Sequence, residues 1–412
     1  MSTVGIIAEY NPFHTGHAYQ ISEARRITAA KHVVVIMSGD FVQRGAPAIM
    51  DKYMRTRLAL DGGADCVLEL PVWMATASAS DFAEGGIAIL ESLGCIDYLC
   101  FGSEAGNLPL LMQAASLFLE EPPEFKKVLK EQLSRGKSFP KARKSAWEAA
   151  TGESGDFLDL PNNILGISYL MALKKRNSRI IPVTIARRGS FHSTELNREF
   201  ASASALRYRL LREAADDSAF PPSIRPYLSS DQALLQMQRE YGVSYPMDMN
   251  DFWPILKTKL LTQSDSAELF EDFPTELANR LKACHFTCTC YEELAEHLKT
   301  AAFTRSRIDR CLIHLLLDIY REQIDILKEN GSAFYARVLG FNKSHTDLLK
   351  DMTLQGRIPI LTKSMPPDNL SGPAALSYAM DTRAANLYEC VKSLKYPQKK
   401  PVHEYRQKII VI

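Results

Sequence analysis

Two histidines three positions apart near the amino terminus are the residues best suited to handle phosphate. His14 and His17 belong to the segment Asn11–His17, which follows a short apolar run and opens a helical pattern. Backbone N–H groups and the positive end of the dipole face outward where a helix begins, and both attract phosphate. Gly16 places no side chain between the backbone and such a ligand. The arrangement predicts that His14 and His17 stabilise the charge that builds up as pyrophosphate leaves.

Polar residues and a glycine also follow other predicted strands. Arg187 and Arg188 come directly after the fifth strand, where two guanidinium groups suit a triphosphate; the alternative is a solvated basic turn. Asp40 follows the second strand, at the edge where open α/β sheets bind ligands, and is a candidate catalytic residue. A surface ion pair between Asp40 and Arg44 is the alternative. Gly102 closes the fourth strand and either lets a nucleotide approach the backbone or simply turns the chain.

Alternating strands and helices must position these residues. Apolar runs predict five strands, at Thr3–Ala8, His32–Met37, Cys66–Leu70, Tyr98–Phe101 and Ile180–Ala186. Helical patterns lie between several of them, at His17–Ile27, Asp51–Leu60 and Asp81–Leu93. Strands separated by helices predict a parallel, doubly wound sheet, so we expect an α/β domain over residues 1–215.

The second half of the chain has a different pattern. After the Pro221-Pro222 pair, helices are predicted at Ile255–Leu261, Ser266–Phe270, Glu276–Cys284, Tyr291–Lys299, Ser306–Glu329 and Phe334–Leu339. We therefore expect a mostly α-helical domain over residues 216–412, ending in a basic tail. The last residues, Lys408–Ile412, have the apolar character of a docked edge strand.

Basic residues recur outside the phosphate motifs, interleaved with aromatic ones. On a helix, Arg307, Arg310 and His314 would share one face. Ile308, Cys311, Leu312 and Leu315 would then pack inward. One such segment alone is usually a solvated face, although the pattern of basic and aromatic residues suits an RNA backbone and exposed bases. The predicted RNA-binding residues are Lys141, Arg143, Lys144, Arg305, Arg307, Arg310, Lys399 and Lys400.

Composition narrows the class of protein. The 412 residues carry a net charge of +1, so the molecule as a whole is not an electrostatic nucleic-acid binder. No apolar run reaches the roughly 18–20 residues of a membrane span, and the first residues lack a signal-peptide pattern. Eight scattered cysteines are typical of reduced thiols in a cytoplasmic protein. The close set Cys284, His285, Cys288 and Cys290 lacks standard zinc spacing, so thiols are favoured and no protein metal ligands are assigned.

The segment Gly5–His17 resembles the first motif of the HIGH nucleotidyltransferases. Their second motif, Ser-Ser-Thr-x-Ile-Arg, resembles Ser202–Arg207, with Ala203 and Ser204 replacing the second serine and the threonine. Alone, this stretch would be an ordinary helix N-cap. The resemblance implies a Rossmann-like fold in which Ser202, Ser204 and Arg207 hold the β- and γ-phosphates of ATP.

Four further segments resemble the bacterial tRNA(Met) cytidine acetate ligase family: Ser38–Gly45, Asp65–Pro71, Phe101–Glu104 and Pro161–Leu165. This resemblance implies that acetate and ATP form acetyl-adenylate, which then acetylates N4 of the wobble cytidine in elongator tRNA(Met). Mg²⁺ is expected with ATP. His14, His17, Asp40 and Arg207 are the expected catalytic residues. The expected nucleotide-binding residues are Ile7, Ala8, Glu9, Tyr10, Asn11, Pro12, His14, Gly16, His17, Gly102, Asn162, Arg187, Arg188, Ser202 and Ser204.

Two other functions fit part of the sequence. A small-molecule adenylyltransferase of cofactor synthesis would use the same phosphate motifs, but it leaves the long helical second half unexplained. A non-catalytic RNA-binding protein on a relic nucleotide fold would not need the intact pair His14 and His17. Two roles are also possible for Asn162, which lies at a predicted helix start: it contacts the nucleotide, or it caps its helix.

Overall fold

A largely parallel β-sheet forms the centre of the computed structural model, which describes residues 2–187, 201–212, 220–300, 302–363 and 370–412. Its strands are β1 (Thr3–Ala8), β2 (His32–Ser38), β5 (Cys66–Leu70), β6 (Tyr98–Ser103), β7 (Ile181–Ala186), β8 (Ala336–Phe341), β9 (Ile360–Leu361) and β10 (Ile410–Val411), and a separate hairpin holds β3 (Phe41–Val42) and β4 (Ala46–Pro47). The order is β10-β8-β5-β2-β1-β6-β7, with β9 on β8. Among the described pairs of this sheet, β5–β8 is antiparallel and the others are parallel.

Helices cover both faces of the sheet. They are α1 (Thr15–Thr28), α2 (Lys52–Asp61), α3 (Val72–Ala75), α4 (Ala79–Ser92), α5 (Leu108–Glu120), α6 (Pro123–Ser134), α7 (Phe139–Thr151), α8 (Pro161–Lys175), α9 (Ala203–Arg212), α10 (Asp231–Glu240), α11 (Trp253–Gln263), α12 (Thr275–Cys284), α13 (Tyr291–Leu298), α14 (Arg305–Leu317), α15 (Arg321–Glu329), α16 (Thr346–Gln355) and α17 (Gly372–Lys395). None of the helices in the described ranges combines the length and apolarity that a membrane crossing requires.

Strand β2 shows how the sheet separates two apolar layers. Val33 and Val35 point to the layer that includes α1 and α2. Val34 and Ile36 point to the opposite layer, which includes α4 and α8. This alternation follows from the two-residue period of a strand, and every residue of β2 is buried. The predicted α/β fold, its five parallel strands and their flanking helices are confirmed.

The second half of the chain contributes to the same sheet. The helix predicted at Phe334–Leu339 is wrong: residues Ala336–Phe341 form strand β8, paired with β5. A short apolar run fits either element by periodicity, and here the open edge of β5 decides in favour of a strand. The predicted edge strand near the carboxyl terminus is confirmed as β10, which pairs with β8. The single helix predicted over Ser306–Glu329 is two, because the chain turns at Asp318, where φ is +53°.

Candidate nucleotide-binding site

The loop between β1 and α1 orients the two histidines through its own backbone. His14 Nδ1 accepts a hydrogen bond from the Gly16 N–H at 3.0 Å, and His17 Nδ1 accepts one from the His14 N–H at 3.3 Å. The two rings are stacked, with centroids 3.8 Å apart. Because each Nδ1 is an acceptor, each neutral ring carries its hydrogen on Nε2. The capping geometry of the helix therefore leaves both Nε2–H groups available as donors.

Burial keeps these rings uncharged. It lowers the pKa of His14 to about 3, and the positive charges of Arg187 and Arg207 act in the same direction. Burial and the neighbouring His14 ring likewise hold the pKa of His17 well below its usual range. Both imidazoles are therefore neutral near pH 7 and can act as hydrogen-bond donors through Nε2–H.

The depressed pKa of His14 predicts how stability depends on pH. As pH falls from 6.5 towards about 3, the unfolded chain protonates this ring while the folded chain does not. The folding stability linked to His14 is thus complete above pH 6.5 and falls by about 1.4 kcal/mol per pH unit below it. Urea unfolding across this range should show a shallower decline for His14→Asn, whose amide oxygen replaces the Nδ1 acceptor without titrating. Identical slopes would contradict the assigned burial.

A cleft opens between the start of α1 and the ends of β6 and β7. Its described lining residues are His14, Gly16, His17, Tyr19, Gln20, Gly102, Ile185, Ala186, Arg187 and Ala201. Five predicted site residues are thereby brought together from three parts of the chain. A side chain at Gly102 would place its Cβ only 3.2 Å from Cγ of Arg187, so the glycine lets this arginine lie against the end of β6.

The second motif is attached to the first through an arginine. Arg207, on α9, donates to the Asn11 carbonyl at 2.5 Å and to the Ser204 hydroxyl at 3.0 Å. Ser202 accepts from the Ala205 N–H at 3.1 Å, which is the helix cap that the residues alone suggested. The motif therefore sits beside the histidine loop. Arg188 lies outside the described residues.

A buried arginine that was not predicted from the sequence binds backbone carbonyls at the ends of β1 and β2. Arg55, on α2, donates to the carbonyls of Glu9 at 2.6 Å, Ser38 at 3.1 Å and Met50 at 3.0 Å, and also to that of Gly39. The side chain is completely buried. These bonds tie the end of β1 to the end of β2. The sequence offered a charged residue in a predicted helix, which ordinarily indicates a surface position.

The remaining loop residues predicted at the nucleotide make contacts within the protein. The Tyr10 ring is buried at φ +48° and lies 4.8 Å from the His17 ring. The Asn11 side chain accepts from the Ile49 N–H at 2.8 Å. Ile7 is buried in the core, Ala8 ends β1, and Pro12 lies in the turn with Asn11. The Glu9 carboxylate accepts from the Gln43 N–H at 3.1 Å. Together they shape the loop that presents His14.

Asp40 lies in a buried charge cluster and is not among the described residues that line the cleft. Its carboxylate accepts from the Lys52 N–H at 2.8 Å. Burial raises the pKa of Asp40 to about 7, against the opposing charge of Lys52. The same lysine ammonium contacts Glu69 at 2.6 Å and Glu404 at 2.7 Å. Arg337 contacts both of these carboxylates. The structure therefore places Asp40 beside the junction of the sheet with the carboxyl-terminal tail.

The Asn162 side chain is hydrogen-bonded to another residue of the protein. Its amide donates to Glu104 at 2.6 Å, and Glu104 also accepts from the N–H groups of Asn162 and Asn163 at 3.3 and 2.9 Å. Asn163, which the sequence analysis did not select, accepts from the Ala105 N–H at 3.0 Å and is fully buried. Glu104 thus caps α8 and fixes the loop that follows Gly102.

Most predicted RNA-binding residues on α7 and in the tail have partners within the protein. Lys144 contacts Asp156 and Asp159 at 2.6 and 2.5 Å. The Arg143 guanidinium lies 4.6 Å from the Phe118 ring centroid, and Lys399 contacts Glu240. Lys141 and Lys400 are exposed. Charge available to a nucleic acid is therefore smaller than the count of basic residues indicates.

Helix α14 carries its arginines against acidic neighbours. Arg305 binds Glu292 and Asp309, and both Arg307 and Arg310 lie against Asp272, at 3.3 and 3.0 Å. The inward packing predicted for Ile308, Cys311, Leu312 and Leu315 is confirmed. The prediction that His314 shares the basic face is wrong: it is completely buried, with ring nitrogens 2.9 Å from the Glu271 carbonyl and 3.1 Å from the Thr76 carbonyl.

The cysteines are all free thiols. In the close set, the ring nitrogen Nδ1 of His285 faces the Leu281 carbonyl at 3.0 Å. Cys288 lies close to Glu293 and His297, and these three residues form a group that could hold a metal ion. His285, Cys284 and Cys290 are not members of this group.

Comparison with known proteins extends over the whole chain. A model of the HIGH Nucleotidyl Transferase family matches residues 1–403. The chain is 36% identical over 420 residues to a tRNA(Met) cytidine acetate ligase of Acetivibrio thermocellus, covering 100% of both chains. It is 40% identical over 367 residues to the protein of the same name from Caldanaerobacter subterraneus subsp. tengcongensis, covering 88% of this chain and 89% of that one.

Two solved structures show the same architecture. The apo crystal structure of Thermotoga maritima TmcAL matches with a TM-score of 0.89 at 29% identity. The structure of that protein bound with alpha-thio ATP matches with a TM-score of 0.88 at 28% identity. Each match covers 100% of both chains.

Proposed function

Because this chain belongs to the tRNA(Met) cytidine acetate ligase family of HIGH nucleotidyl transferases, we propose that it activates acetate with ATP and transfers the acetyl group to tRNA(Met). The observation that carries the proposal is the cleft in which two neutral histidines lie opposite Gly102 and Arg187. This arrangement offers hydrogen bonds and positive charge to a polyphosphate.

In the first step, an acetate oxygen attacks the α-phosphorus of ATP. The bond from this phosphorus to the bridging oxygen breaks, and pyrophosphate leaves with the electron pair. The Nε2–H groups of His14 and His17 donate to the oxygens on which charge develops. Arg187 and Arg207 supply compensating positive charge, and Arg207 keeps the second motif beside the loop through its bond to Asn11. The product is acetyl-adenylate.

Mg²⁺ fits this scheme as part of the nucleotide substrate. The described residues that line the cleft include no carboxylate. Phosphate oxygens and water would therefore hold the ion, as is common for Mg²⁺ bound with nucleoside triphosphates.

In the second step, N4 of the wobble cytidine attacks the acetyl carbon. The carbon–nitrogen bond forms, AMP leaves with the electrons of the anhydride bond, and N4 loses a proton to solvent. The reacting base must leave its stack to reach a cleft at the end of the sheet. This step gives the N4-acetylcytidine product and distinguishes the ligase from an enzyme that stops at a nucleotide product.

The test is acetate-dependent release of pyrophosphate from ATP, followed by transfer of labelled acetate to tRNA. We expect release to require acetate, and label to enter elongator tRNA(Met) but not a transcript with uridine at the wobble position. Release that requires a phosphorylated cofactor precursor instead would support the small-molecule adenylyltransferase. No release with either substrate would support a non-catalytic RNA-binding protein.

The exposed lysines should contribute more to tRNA binding than their ion-paired neighbours. We propose that Lys141, Lys400 and the partly exposed Arg307 contact the RNA backbone, whereas Arg305 and Arg310 mainly hold α14. Each lost phosphate contact should reduce the slope of log affinity against log salt by about 0.7–0.9.

Two matched pairs of lysines allow a direct measurement. Lys141→Gln should weaken tRNA binding more than Lys144→Gln on the same helix, since Lys144 is already neutralised by two carboxylates. Lys400→Gln should likewise weaken tRNA binding more than Lys399→Gln does. Acetate-dependent pyrophosphate release should stay unchanged in all four variants. Equal tRNA affinities within each pair would mean that RNA binds elsewhere on the protein.

A further inference from the structure

A second polar cluster lies at the edge of the sheet opposite the cleft. His32 is the first residue of β2, and so lies at the amino end of a parallel strand. Strand β8 runs antiparallel to its neighbour β5, and therefore ends at that same edge. His345 and Asp347 follow β8, at the start of α16. The fold thus brings together three metal-binding residue types from opposite halves of the chain.

The three side chains converge closely. His32 Nδ1 lies 2.9 Å from His345 Nδ1, and His32 Nε2 lies 3.4 Å from an oxygen of Asp347. One ligand atom from each residue falls within 4.8 Å of the others. His32 is 2% exposed, and its Nε2 has no hydrogen-bond partner among the described residues. A buried polar atom that faces a carboxylate without a hydrogen bond points to a missing partner.

A further carboxylate, that of Asp65, orients the His345 ring through Nε2, the nitrogen that does not face His32. Asp65 Oδ1 lies 3.3 Å from His345 Nε2. The other oxygen of Asp65 is held by the Val33 N–H at 2.7 Å and by Arg25 at 2.8 Å. A carboxylate behind a histidine, with the second ring nitrogen turned to a metal, is a recurrent arrangement because it fixes the tautomer and the ring orientation. In this cluster it leaves His345 Nδ1 facing His32.

We propose that His32, His345 and Asp347 bind a divalent transition-metal ion of the zinc class. Imidazole and carboxylate ligands suit zinc, cobalt(II) and nickel(II). The 3.4 Å between His32 Nε2 and Asp347 is close to the roughly 3.3 Å between neighbouring ligands of a tetrahedral zinc ion. A water molecule completes the fourth position, since Asp347 is partly exposed. The ion joins the start of β2 to the start of α16 and so stabilises the junction of the two halves.

Lys31 competes with a metal ion for the carboxylate of Asp347. Its ammonium contacts the same oxygen of Asp347, and both side chains are about two-fifths exposed. Such a pair contributes little and is free to separate into water. The alternative to a metal site is therefore a hydrogen bond between the two histidines, together with this surface ion pair.

The test uses the tag-free, full-length protein after treatment with a chelator. We expect added Zn²⁺ to raise the thermal unfolding midpoint, and Co²⁺ to give visible absorption bands of a four-coordinate site. His345→Gln should weaken Zn²⁺ binding at least about tenfold, since even loss of an outer-shell partner has an effect of that size. Lys31→Ala, which keeps all three ligands, should bind Zn²⁺ more tightly than the parent.

His297→Gln is the matched control, because Cys288, Glu293 and His297 form the other group that can hold a metal within the described residues. It should leave the Co²⁺ bands and the Zn²⁺-dependent midpoint shift intact. The proposal is overturned if Zn²⁺ produces no shift in the parent protein. It is also overturned if the shift is undiminished in His345→Gln, or if the shift disappears in His297→Gln alone.

Discussion

Replacing His17 with alanine should slow acetate-dependent pyrophosphate release by about 10²-fold or more, the effect typical of losing one donor to a developing charge. The ring is held by the His14 N–H at 3.3 Å, so that its Nε2–H is directed away from the loop backbone. Burial holds its pKa well below the usual range, so the donor stays neutral and the loss should be similar from pH 6 to pH 8. Initial rates at saturating ATP, at both ends of this range, provide the measurement.

Two conservative variants separate the two ring nitrogens of His17. The oxygen of His17→Asn replaces Nδ1 and keeps the bond to the His14 N–H but removes the donor. The amide nitrogen of His17→Gln replaces Nε2 and keeps the donor. We expect the glutamine variant to retain clearly more activity than the asparagine variant. If His17→Asn turns over at a near-normal rate in folded protein, the Nε2–H group does not stabilise the transition state.

Replacing Lys52 with methionine should destabilise the protein by about 3–5 kcal/mol, as expected when one member of a buried ionic cluster is removed. Lys52 is completely buried, with its ammonium 2.6 Å from Glu69 and 2.7 Å from Glu404. Methionine fills a similar volume, so the loss comes from two buried carboxylates whose remaining cationic partner among the described residues is Arg337. Chemical denaturation followed by circular dichroism measures the change.

A surface lysine provides the control for the buried one. Lys174 pairs with Glu120 at 2.9 Å but is about half exposed, so Lys174→Met should change stability by no more than about 1 kcal/mol. The double variant Lys52→Met with Glu404→Gln should recover part of the loss, because Arg337 then has one buried carboxylate to compensate instead of two. Equal stability of Lys52→Met and the parent would show that this cluster does not hold the tail against the sheet.

The sequence alone determined the features that depend on local order. The strand, loop and helix around His14 follow from an apolar run, a turn and a helix start that are contiguous in the chain. The alternation of β1, β2, β5, β6 and β7 with helices likewise predicted the parallel sheet, because strand and helix periods are visible within short windows. The two motifs that predict a nucleotide site were recognised for the same reason, since each is carried by one short segment.

Only the tertiary structure decided which charges meet and which apolar runs pair. Strand β8 is a strand because β5 offers it an edge, although the two lie far apart in the sequence. Asp40 joins Glu404 in one buried cluster, Asp272 pairs with both Arg307 and Arg310, and His314 enters the core. Such contacts depend on burial and on distances across the folded chain, and no local pattern of residue types contains that information.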